Sequence, residues 1–248
     1  MKFLSVLAVG LVVAAGLSRA DQQADAKAIL NKAIKAIGSE AKLANLSTAS
    51  VKAKITASEG GQEITINVDG IWQRLTQYRL DVDVQQGGQN IKGVLVVNGD
   101  KGWFKAMCKT DDAPDGVVPF VHNVFYAMRM PQLLSALTSK DYTLSHLGEV
   151  KIGNQVAVGV SISHKDRKDV SLFFDKDNGL PIKSEIRLTH PKGDKEITVE
   201  YHYSDYKDFD GVKLCGKIQI KGDDKEFTLE LSEIKPMDKV DEAQFGKP

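Results

Sequence analysis

Between residues 155 and 231, apolar side chains recur at every second position in short runs broken by turns. Val156, Val158, Val160 and Ile162 make one run. Leu172 and Phe174 lead into the turn Asp175-Lys-Asp-Asn-Gly179, and Ile182, Ile186 and Leu188 return from it. Ile197, Val199, Tyr201 and Tyr203 follow, then Leu214, Ile218 and Ile220, then Phe227, Leu229 and Leu231. Polar residues fill most of the positions between. A period of two places one set of side chains on one face of a sheet and the other set toward water. The same alternation starts near Ser47 with Val51, Ala53 and Ile55, and a hairpin turn at Glu59-Gly-Gly-Gln62 leads to Ile64, Ile66, Val68 and Trp72. Tyr78, Leu80, Val82 and Val84 form the next strand. Residues 91–97 follow, and the turn Asn98-Gly99-Asp100 leads to a strand around Trp103 and Phe104.

Two segments depart from this period. Ala26, Ile29, Leu30, Ala33, Ile34 and Ile37 fall at helical spacing, with Gly38 suited to end that helix and Ser39 to cap a short second one through Leu46. From Thr110 the alternation stops. A polar loop at 111–116 gives way to an apolar, helix-like stretch carrying Phe120, Val121, Val124, Phe125, Met128 and Met130, which Pro131 interrupts before Leu133, Leu134 and Leu137. Strands resume at Tyr142–Leu147 and Glu149–Ile152.

Consecutive strands joined by tight turns without helices between them make an antiparallel meander. The expected fold is mainly β (α+β): a curved antiparallel sheet of about ten or eleven strands forming an unclosed β-barrel, with an N-terminal helix and a helical plug or lid inserted at about 110–139. Two helices offer few side chains to fill so wide a concavity, so apolar space is expected to remain inside. The expected lid contacts are Phe120, Val124, Phe125, Met128, Met130, Leu133 and Leu134. The expected cavity wall is Ile64, Ile66, Val68, Trp72, Leu80, Val82, Leu172 and Phe174. Methionine repacks around variable partners, which suits a gate; the same residues would also serve as the plug of an ordinary core.

The N-terminus adds a compartment. Lys2, an apolar core from Phe3 to Leu17, and Ser18-Arg19-Ala20 read as an export signal cleaved after Ala20, leaving one domain over 21–248. That apolar core is short of the roughly 20 residues a spanning helix needs. Removing Lys2 and Arg19 from 33 basic and 33 acidic residues leaves two net negative charges, a balance that points away from nucleic acid as a partner. Cys108 and Cys215 could pair in an oxidising compartment or stay as thiols; the spacing leaves both open.

Candidate chemistry is sparse. The five histidines are scattered, with no HExxH and no GxSxG nucleophile. Asp175–Gly179 matches the start of a calcium loop, but its glycine comes one place early and Ile186 stands where a glutamate belongs, so it reads as a hairpin turn. No catalytic residue, metal site or cofactor is expected, and the chain is read as a non-enzyme.

Three stretches carry a resemblance: Ser171-Leu-Phe-Phe-Asp-Lys-Asp-Asn-Gly-Leu-Pro-Ile-Lys-Ser-Glu185, Tyr203-Ser-Asp-Tyr-Lys-Asp-Phe-Asp-Gly-Val-Lys-Leu-Cys-Gly-Lys-Ile218 with Phe245-Gly-Lys-Pro248, and Ala33-Ile-Lys-Ala-Ile-Gly38 followed by Lys42-Leu43. They are similar to the periplasmic lipoprotein-localisation carrier superfamily (LolA/LolB-like proteins), over about 155–248 most of all. Related sequences often have proline where this one has Cys215, and no polar functional residue aligns. The resemblance implies an unclosed barrel covered by helices, with a hydrophobic cavity for the acyl chains of lipoproteins or other lipid-like ligands. An envelope sensor with a protein partner is the alternative on the same scaffold.

Overall fold

The computed structural model describes residues 19–248 except Ser39, Lys192 and Asp194. The expected signal up to position 18 and the capping role of Ser39 therefore lie outside the described residues. Helix α1 spans Arg19–Ile37 and α2 spans Glu40–Asn45. Gly38 closes α1 by donating to the Ile34 carbonyl, and its φ of 152° is one that L side chains rarely adopt. A Cβ there would also meet the Gly211 carbonyl oxygen at 2.9 Å, so glycine is required twice over.

The first strands are β1 (Thr48–Glu59), β2 (Gln62–Gln73), β3 (Gln77–Gln86), β4 (Gln89–Asn98), β5 (Lys101–Ala106) and β6 (Lys109–Asp112). After helix α3 (Val117–Met128) and the 3-10 turns Met130–Gln132 and Ala136–Thr138 come β7 (Tyr142–Ile152), β8 (Gln155–His164), β9 (Arg167–Asp175), β10 (Pro181–Thr189), β11 (Glu196–Phe209), β12 (Val212–Gly222) and β13 (Lys225–Pro236). All belong to one 13-stranded antiparallel sheet in the order β6-β5-β4-β3-β2-β1-β13-β12-β11-β10-β9-β8-β7. The first and last strands meet at its centre, and the chain crosses between its two free edges through the α3 segment. The sheet does not close, because β6 and β7 each pair on one side only. Register shifts at Lys52/Ala53, His146/Gly148 and Pro181/Lys183 add the local bends that curl it.

The structure departs from the sequence pattern at two strands, one missed and one split. β6 has the sequence KTDD, with no apolar residue to register a period, so the insert starts at Ala113 rather than near 110. Tyr142–Leu147 and Glu149–Ile152 are a single strand carrying a bulge, at which Gly148 takes a φ of 84°.

Packing divides the concave face in two. Ala26, Leu30, Ala33, Ile34 and Ile37 of α1 are buried in one core with Val160, Ile162, Leu172, Phe174, Ile186 and Tyr201 of strands β8–β11. This half is filled. Over the other half, bounded by β1–β3 and β12–β13, α3 and the turn after it leave an apolar chamber among the described residues.

Candidate functional site

The wall of the second half follows from register. In-phase residues on neighbouring strands face each other: Ile55 opposes Ile66 and Leu229, Ala53 opposes Val68 and Leu231, and Val51 opposes Gly70 and Ile234. Across β12, Ile218 stands against Leu229. Val51, Ala53, Ile55, Val68, Leu80, Ile218, Ile220 and Leu229 thus line a cavity of about 270 Å³, roofed by Val124, Phe125 and Met128 of α3. Several of these remain half-buried (Val51, Ile55, Leu80, Phe125, Met128, Ile220 and Leu229), so the chamber is open to solvent at one side. Its volume lies at the lower end of the roughly 300–1,000 Å³ range of ligand pockets.

Helix α3 is set over this chamber by polar contacts at its C-terminal end. The Tyr203 hydroxyl donates to the Ala127 carbonyl (2.9 Å), as does the Ser184 hydroxyl (3.0 Å), and the two hydroxyls lie 2.6 Å apart. Next along the chain, Arg129 is 2% exposed. Its Nη1 donates to the Arg74 carbonyl (3.0 Å), its Nη2 donates to the Leu46 carbonyl (3.3 Å), and its guanidinium lies 4.1 Å from the centre of the Trp72 ring. Trp72 Nε1 donates to the same Leu46 carbonyl at 2.8 Å. One side chain thereby ties the end of the roof to the α2–β1 link and to the β2–β3 turn. Burial lowers the Arg129 pKa to about 10, with the Tyr78 hydroxyl as its neighbour. Burial raises the Tyr78 pKa in turn.

Of the residues singled out from sequence, Val124, Phe125 and Met128 line the chamber from above, and Val68, Trp72 and Leu80 line it from the sheet. Met130, Leu133 and Leu134 lie just beyond, buried in the core. Phe120 is half-buried, with its ring 6.4 Å from that of His190. Leu172 and Phe174 belong to the filled half at 0% exposure. Ile64, Ile66 and Val82 are half-buried on β2 and β3 and do not line this chamber. Sequence reasoning missed Arg129 and Gln132, both of which line it, along with the β12 and β13 wall and Cys215. The available signal was a cation set between Met128 and Met130 in an otherwise apolar stretch.

The remaining candidates resolve into structure. Asp175 Oδ1 accepts from the backbone amides of Asp177 and Asn178, both at 2.9 Å, and Gly179 takes a φ of 78°, so this loop is a hairpin turn. His122 Nε2 contacts the Gly99 carbonyl oxygen at 2.7 Å. Cys108 is exposed, Cys215 is buried, and both are free thiols. Among the described residues no group of three or more His, Cys, Asp or Glu is placed to hold a metal ion.

No family model matches the chain, and no curated protein matches it in sequence. Solved structures do. A LolA superfamily protein from Nitrosomonas europaea superposes with a TM-score of 0.56 at 14% identity, over 88% of this chain and 96% of that one. A DUF1329 family protein from Desulfovibrio piger gives 0.55 at 12% identity, over 89% and 97%. A domain described as an outer membrane lipoprotein-sorting protein, from Vibrio parahaemolyticus, gives 0.53 at 12% identity, over 90% and 97%. The chain has a LolA-like fold.

Proposed function

We propose that the protein is exported to the periplasm and there holds an acyl chain of a lipoprotein or lipid in the chamber beneath α3, acting as a carrier without catalysis. The observation that carries this reading is an apolar chamber left unfilled on one half of an otherwise packed sheet, roofed by Phe125 and Met128. The described fold is shared with a protein described as sorting lipoproteins, which adds to the case.

Size restricts the cargo. A cavity of about 150 Å³ accommodates benzene. On that scale 270 Å³ takes a chain of roughly ten carbons. Such a chain would gain about 8 kcal/mol by leaving water, at about 0.8 kcal/mol per methylene. Immobilisation takes back at least about 4 kcal/mol of that. The chamber as it stands therefore suits one chain, and two or three would need α3 to swing away.

Replacing Phe125 and Met128 together by Asp tests the roof. The double variant is expected to lose binding of N-phenyl-1-naphthylamine while its far-UV spectrum stays unchanged; undiminished binding would contradict the reading. Native mass spectrometry of detergent-free wild type should show copurified lipid. A stoichiometric envelope protein in its place would favour a sensor, and turnover of an ester panel would contradict a carrier without catalysis.

A further inference from the structure

The chamber is apolar except at one place. Arg129 and Gln132 both line it, and both are more than nine-tenths buried, at 2% and 8% exposure. Each also has a polar atom with no hydrogen-bond partner, Nε of Arg129 and Oε1 of Gln132, and the Tyr78 hydroxyl beside Arg129 makes no hydrogen bond within normal geometry either. Although the chamber opens to solvent at one side, these two atoms are themselves shut off from it, and such orphans are costly because the group loses its water without replacement. The Arg129 cation has a second deficit. Its interactions are with two carbonyls, the Trp72 ring and the Tyr78 hydroxyl, and no carboxylate among the described residues pairs with it. An unpaired buried charge is among the most expensive arrangements in a protein interior, and an anion supplied from outside would relieve it. Rotating the Gln132 amide by half a turn exchanges its oxygen and nitrogen, which puts a second donor at the orphaned position.

We infer that the chamber takes a single-chain amphiphile ending in an anionic oxygen group, with the chain against the β1–β3 and β12–β13 wall and the head group at Arg129 Nε and the Gln132 amide. A carboxylate fits this chemistry directly: it has acceptors for both donors and the charge that Arg129 lacks. This assignment rests on the carrier reading above and names its ligand class.

The test is displacement of N-phenyl-1-naphthylamine from the full-length mature protein by decanoate and, separately, by 1-decanol, at about pH 8, where the carboxylic acid is ionised. Wild type should require a concentration of decanoate about tenfold or more below that of decanol, the preference a charge-assisted hydrogen bond confers. Arg129→Met should bring the two concentrations within about twofold of each other. If that variant does not fold, Gln132→Met should narrow the preference, and the wild-type comparison stands by itself. Decanol displacing as well as decanoate from wild type would overturn the head-group assignment while leaving the apolar chamber intact. A full preference for decanoate surviving in folded Arg129→Met would overturn it equally. Failure of both probes to displace the fluorophore would overturn the assignment together with the carrier reading.

Discussion

On the proposed reading, Arg129 serves both stability and binding in one side chain. It holds the roof through two carbonyls and an indole face, and it does so as a buried cation. Truncation to Met leaves the Leu46 carbonyl with its Trp72 donor but strips the Arg74 carbonyl of the one it has from Arg129. It also removes the stacking on Trp72. Loss of these contacts is expected to lower stability by about 2–4 kcal/mol, offset in part by relief of the buried charge, as read from urea unfolding. Cys215 gives a second expectation. Burial pushes its thiol up to about 12 from an ordinary value of 9.0. The folded state therefore binds the thiol proton more tightly than the unfolded state. The sign follows: Cys215 stabilises fully below about pH 9, and that contribution falls as pH rises from there toward 12. Tyr201 and Tyr203, raised by burial, act in the same direction. Stability should accordingly drop steeply above about pH 9. A disulfide-exchange reagent should titrate one thiol, Cys108, in the native protein and both in denaturant.

Strands were legible from sequence wherever a period of two ran through apolar residues, as in Val158, Val160 and Ile162 of β8. They were illegible where composition carried no contrast, as in β6. Helix α1 was equally plain, because its stripe from Ala26 to Ile37 is the face that packs. Helix α3 was legible as apolar and helical, but its role was not. Which of its residues face a chamber depends on Ser184 and Tyr203, far along the chain, whose hydroxyls set the position of its C-terminal end. Tyr203→Phe removes one of those anchors and should cost about 1–2 kcal/mol by urea denaturation, with a larger effect on roof dynamics than on the sheet. Hydrogen exchange should separate the strands themselves. The amides of β1 and β13, paired on both sides at the centre of the sheet, should exchange slowest, and those of four-residue β6 fastest.

At the level of the whole molecule, the proposed function rests on an inequality between the sheet and its coverings. Thirteen curled strands present more apolar lining than α1 and α3 cover, and the deficit falls on the half nearest β1 and β13. Sequence reasoning anticipated the deficit from helix count but placed Leu172 and Phe174 beside it, because alternation fixes a residue's face and not its position around the curve. Filling the chamber isolates the claim from every other property of the fold. Ala53, at 9% exposure on the floor, can be enlarged to Phe. Titration of N-phenyl-1-naphthylamine into Ala53→Phe and wild type, with matched far-UV spectra, is the decisive comparison. Binding should fall at least about tenfold in the filled variant; affinity equal to that of wild type would mean that the chamber is not where the protein holds its ligand.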